Sequence, residues 1–126
     1  MAAQAESLGQ PFVPTLRDEG ALQGAVNQPR QTFGGADLYP SIFDKVAVLV
    51  RGIICNHVFT DGNKRTALLA AAIFLQYNGW RFELPDQDLE KLALDIAGDR
   101  ARGAEPIGLA EIARRLEQTS RPADSR

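Results

Sequence analysis

Apolar residues recur at helical spacing along most of the 126-residue chain, and the breaks between periodic stretches carry proline, glycine or polar clusters. The clearest case is residues 41–56, where Ile42, Val46, Leu49, Val50, Ile53 and Ile54 share a face. Pro40 and Ser41 stand before that stretch as helix-start signals. A weaker helix is expected over 17–27, with Leu22, Ala25 and Val26 inward. Gly20 and Gly24 weaken it, and Pro29 is expected to bar its continuation. In QTFGGADLYP, Gly34-Gly35 between short β-prone pieces predicts a small hairpin or an irregular loop. Residues 64–77 are apolar almost all round and predict a central buried helix, which Asn78-Gly79 stops. WRFEL alternates and reads as a short extended piece. Two amphipathic helices follow, over 86–97 with Leu89, Leu92, Ala93 and Ile96 inward, and over 108–118 with Leu109, Ile112 and Leu116 inward.

The expected fold is therefore all-α: a compact bundle around one central hydrophobic helix, with a small hairpin. Residues 1–16 read as a loose lead-in, 17–118 as the domain, and 119–126 as a disordered tail.

Composition narrows the function. Apolar residues make up 44%, enough for a real core. Fourteen basic against 16 acidic residues, net −2, lack the basic surplus of a nucleic-acid binder. No apolar run reaches membrane-spanning length, and MAAQAESLGQPF lacks the order of a signal peptide. A cytoplasmic protein without nucleic-acid or membrane partners is expected. Cys55 is the only cysteine, so no internal disulfide and no cysteine-based metal site can form.

The chemistry concentrates in HVFTDGNKR, residues 57–65, which holds the only histidine. Asp61-Gly62-Asn63 leads directly into a helix, whose first turn is a natural anion seat. Glycine at 62 lets the backbone approach an oxyanion closely. Lys64 and Arg65 meet the positive end of the helix dipole, a conflict that a bound polyphosphate would resolve. Asp61 offers a hard oxygen to Mg²⁺, which one or two carboxylates plus phosphate oxygens commonly hold. His57, at the end of the preceding helix, suits a general base acting on a hydroxyl, and Phe59 would anchor the loop. Taken singly, each feature is ordinary: a structural histidine, a helix-starting turn, a solvated charged face. Together they place a base, a metal ligand, a phosphate seat and two cations in order.

HVFTDGNKR resembles the core motif of the Fic/Doc family, H-x-F-x-(D/E)-(G/A)-N-x-R, and the following TALLAAAIFLQYNG is similar to the helix after that motif. From Arg17 to Gly79 the chain resembles the Doc, or death-on-curing, branch. The resemblance implies an all-helical fold and transfer of part of ATP to a protein hydroxyl. It implies His57 as the base, Asp61 as the Mg²⁺ ligand, and Gly62, Asn63, Lys64 and Arg65 as phosphate-holding residues. It makes Thr32, Phe33, Gly34 and Gly35 a flap that pairs with the target segment by strand addition.

Adenylylating Fic proteins have glycine where Lys64 stands and a second arginine where Leu68 stands. Doc proteins share the lysine and lack that arginine. The resemblance therefore implies ATP bound in the reversed orientation, a protein kinase, elongation factor Tu as target, translation arrest, and neutralisation by a Phd-like antitoxin. An adenylyltransferase, and a truncated remnant that binds nucleotide or antitoxin without turnover, are the alternatives. The remnant reading comes from the start of the chain, where the amphipathic helix usual in Doc proteins is not evident. Thr15 to Gly20 also fits the inhibitory pattern of some Fic proteins, but Leu68 leaves its glutamate, Glu19, without the arginine that it would pair with.

Overall fold

The computed structural model describes residues 16, 18–56 and 62–123. The first helix, α1, is Glu19–Asn27. It begins at Asp18, whose carboxylate accepts from the Ala21 N–H at 3.0 Å, filling one of the unpaired donors of a helix start. Pro29 does not simply end the helical path. The chain tightens into a 3-10 turn, Gln28–Arg30, with the proline near its start, where its missing N–H costs no bond. Next comes the expected hairpin: β1, Thr32–Phe33, pairs antiparallel with β2, Ala36–Asp37. Gly34 and Gly35 both have positive φ, 61° and 85°, which is the requirement of a tight two-residue turn.

The helix α2, Ile42–Cys55, starts at Ser41, whose Oγ accepts from the Asp44 N–H at 3.0 Å. Phe43, Val46, Ala47, Val48, Leu49, Val50, Gly52, Ile53 and Ile54 are all buried. It packs against α1 and against three later helices: α3, Asn63–Tyr77; α4, Asp86–Ala97; and α5, Leu109–Gln118. At the α1 crossing, a Cβ added to Gly52 would lie 3.0 Å from that of Ala25, so this glycine sets how closely the two helices approach.

The central helix is thus α2, which corrects the expectation that residues 64–77 fill that place. Helix α3 buries only Ala67, Ala71 and Leu75, one line at four-residue spacing. On other faces Leu69 is 61%, Ile73 45% and Tyr77 87% exposed. Apolar character all round a helix permits central burial, but neighbours decide it. The described elements pack on α3 mainly from α2, β3 (Trp80–Phe82) and α4.

Within the stretch 119–126 expected as a disordered tail, Ser120–Pro122 forms β4, antiparallel to β3, and residues 124–126 lie outside the described residues. Trp80 faces Pro122 across that pair and meets Phe43 of α2 edge-on, with ring centroids 5.0 Å apart. Glu83 N–H donates to Thr119 O, and Ala123 N–H to Gly79 O, bracketing the pair. Arg121 adds an ion pair to Glu83 at 2.8 Å. The five helices described and the small hairpin give the expected all-α, Fic-like bundle. No described helix is long and apolar enough to cross a membrane.

Candidate functional site

The site is framed by the end of α2 and the start of α3. Asn56 caps α2, its N–H donating to Gly52 O at 3.3 Å. His57, Phe59 and Asp61 fall within 57–61, outside the described residues, so the assigned base and metal ligand have no described position.

Gly62 caps α3, with φ 75° and ψ 19°. That left-handed conformation is cheap only for glycine. The cap also differs in chemistry from its counterparts. Asp18 and Ser41 each give a side-chain oxygen to their own helix start. Glycine has none to give, so this cap leaves the oxygen's place to other acceptors. Gly62 O accepts from the Thr66 N–H at 2.9 Å, closing the first turn.

Charge sharpens the contrast. Helices α1, α2 and α5 carry an acid in the first turn, Glu19, Asp44 and Glu111, as the dipole favours. Helix α3 carries none, and Lys64 and Arg65 stand there instead, both exposed. Both line a cleft of about 780 Å³ between α3, β3 and α4, with apolar walls from Leu68, Leu69, Phe82 and Leu84. Cations beside an apolar cleft suit a ligand that joins a ring to an anionic chain.

The flap residues Thr32, Phe33, Gly34 and Gly35 are exposed, Phe33 at 82%. They do not line that cleft. The base of their hairpin, at Asp37, instead lines a second cleft of about 620 Å³, together with Lys45 of α2 and Thr66, Ala70 and Phe74 of α3. Thr66 follows Arg65 directly, so α3 carries the phosphate-holding candidates on one side and faces the flap base on another.

Sequence reading missed Lys45. Its ammonium donates to Pro29 O, Asp37 Oδ2 and Tyr39 O, at 3.2, 3.1 and 2.6 Å. The only signal was one cation in an otherwise apolar helical face. Cys55 is close to His57 in sequence, but desolvation raises its thiol pKa, against a smaller lowering by Arg51, so it is poorly suited to nucleophilic work. Asp18 and Glu19, in the inhibitory-like stretch, act as an ordinary helix cap and first-turn acid. Among the described residues no group of three or more His, Cys, Asp or Glu could hold a metal. A Mg²⁺ ligated by Asp61 and phosphate oxygens needs no such group.

The profile of the Fic/DOC family matches residues 2–75. A relative from Mycolicibacterium smegmatis, Toxin Doc, is 38% identical over 99 residues, which cover 66% of this chain and 76% of the relative. With its motif set between α2 and α3, this chain belongs to the Fic/DOC family, in the Doc branch.

Proposed function

We propose that this protein is a Doc-like toxin that transfers the γ-phosphate of ATP to a hydroxyl of a translation factor, elongation factor Tu, and so arrests translation. Family membership and the name of the relative, Toxin Doc, support a toxin that modifies proteins. The observation that carries the finer reading is the start of α3: a glycine cap, no first-turn acid, Lys64 and Arg65 beside the cleft, and Leu68 one turn on.

In this reading the target hydroxyl gives its proton to the His57 imidazole as its oxygen bonds to the γ-phosphorus. The bond from that phosphorus to the β–γ bridging oxygen breaks, and ADP leaves. Gly62, Asn63, Lys64 and Arg65 orient the phosphates and offset their charge. Asp61 would hold Mg²⁺ through a carboxylate oxygen, and the metal's charge would further offset that of the triphosphate. Lys64 crowds the orientation that a glycine would allow, and Leu68 cannot clamp phosphates as an arginine does. Both favour presentation of the γ-phosphate. The hairpin of β1 and β2 serves as the flap, offering its edge to an extended target segment. A Phd-like antitoxin neutralises the protein with its C-terminal segment.

The test is incubation with elongation factor Tu and ATP labelled at either the α- or the γ-phosphate. Label from the γ-position, with a mass gain of one phosphate, is expected. An AMP adduct overturns the kinase reading in favour of adenylyl transfer, and an unmodified factor removes the assigned target.

A further inference from the structure

The hairpin of β1 and β2 is a weak element by itself. Every residue from Gln31 to Leu38 is exposed, and its strands are two residues long. An isolated two-stranded hairpin is marginal in water. A bond from Leu38 N–H to Gln31 O, at 2.8 Å, closes its base.

The tie to the rest of the molecule runs through Lys45. The three oxygens that its ammonium reaches lie before the hairpin at Pro29, within β2 at Asp37, and after it at Tyr39. An ammonium has three protons, so its donor capacity is filled. The side chain is only 18% exposed, which sets it apart from a solvated surface lysine. Its backbone belongs to α2, the helix with the most buried residues of the described fold.

We infer that Lys45 is a positioning residue for target binding: it fixes the angle at which the hairpin edge meets α3, and with it the affinity for the extended segment of the protein substrate. The inference rests on the proposed reading of the hairpin as a flap. Strand addition works through main-chain bonds that hold only within roughly 2.7–3.2 Å, so a loosened hairpin loses partners even when its sequence is intact. Lys45 lines the cleft that Thr66 of α3 also lines. The tether therefore controls where the flap lies relative to the helix that carries the phosphate-holding residues. In this role Lys45 touches neither the transferred group nor the nucleotide.

The experiment has two arms. In the first, amide hydrogen exchange is measured on the wild type and on Lys45→Met, which keeps the apolar stem and removes the ammonium. Exchange in the hairpin, including the Leu38 amide, is expected to quicken about tenfold or more, as expected for the loss of charge-assisted bonds, while α2 and α5 keep their protection. Unchanged hairpin exchange overturns the inference. In the second arm, phosphate transfer from ATP to elongation factor Tu is followed at steady state. Lys45→Met is expected to raise KM for the factor about tenfold and leave KM for ATP within about twofold. Asp37→Ala, an exposed change away from the core, is expected to raise it by about two- to fivefold. Lys45→Arg, which keeps the charge, is expected to fall between wild type and Lys45→Met. Equal rises in both KM values overturn positioning in favour of general damage. A wild type that leaves the factor unmodified defeats the functional reading instead, and the exchange arm still decides whether Lys45 holds the hairpin.

Discussion

At position 64 stands a lysine where the resemblance to adenylylating Fic proteins would have a glycine, and in the proposed reading the choice between two reactions turns on it. Lys64 is exposed and lines the same cleft as Arg65 and Leu68. Removing it should both reopen space and subtract a charge from the proposed phosphate seat. Lys64→Gly is therefore expected to lower phosphate transfer, and Lys64→Gly with Leu68→Arg to begin producing an AMP adduct. Intact-mass measurement of the modified target checks both outcomes, and a double variant that adds only phosphate would dissociate these two positions from nucleotide orientation. The role proposed for His57 is a different one, that of moving a proton. His57→Ala is expected to cut transfer by about 10²–10⁴-fold, the usual range for loss of a general base, without change in thermal stability. Full growth arrest on expression of this variant would remove the assignment.

Among the elements, the hairpin and the helix pair α2–α3 divide the work in the proposed reading, and the two are expected to respond differently to substitution. Gly35 has φ 85°, and a β-branched residue is strongly disfavoured there although nothing crowds the site. Gly35→Val should distort the turn alone, raising KM for the target well above any effect on ATP affinity, as titration of nucleotide against each variant would reveal. Equal losses would point to unfolding. The hairpin was legible because Gly-Gly between β-prone pieces has few other uses. The proposed phosphate seat drew notice for a similar reason: two cations in a first turn contradict the ordinary charge preference of a helix start. The central helix was misplaced because the run from 67 to 75 is rich in alanine and leucine, residues that suit a buried or a half-covered helix equally. The run Val46 to Val50, uncharged between Lys45 and Arg51 and fully buried, held the better signal. Lys45 was illegible because its three partners lie 6 to 16 residues away and two of them are backbone oxygens.

Across the whole molecule, α4 and α5 each pack on α2 and are joined to each other by charge. Arg115 of α5 bonds Asp95 of α4 at 2.6 Å and Glu111 at 2.9 Å, and Lys91 also reaches Asp95. Hydrogen bonds from Arg114 and Arg115 hold the Glu111 carboxyl down to about 2, from an ordinary 4.5. Arg115 likewise lowers Asp95, with Lys91 assisting. A carboxyl depressed in the folded state adds stability that is complete above its unfolded pKa and fades as pH falls through the folded one. The cluster's contribution is thus present at neutral pH and lost from about 4.5 down to about 2. Arg115→Met is expected to lower the melting temperature at neutral pH and to shrink the further loss on acidification, read from thermal melts at about pH 7 and about pH 3. An undiminished acid-dependent loss in the variant would place the effect in other carboxyls. The far end of the chain closes over β3, and this gives the protein an internal optical reporter. Trp80 is its single indole, set between Phe43 of the central helix and Pro122 of the last strand. Its fluorescence should read the docking of the chain's end separately from helix content. A chain ending at Thr119 is expected to emit further to the red, with far-ultraviolet circular dichroism nearly unchanged and stability lower by on the order of 1–2 kcal/mol. Emission that stays in place would mean that Pro122 does not shield the ring.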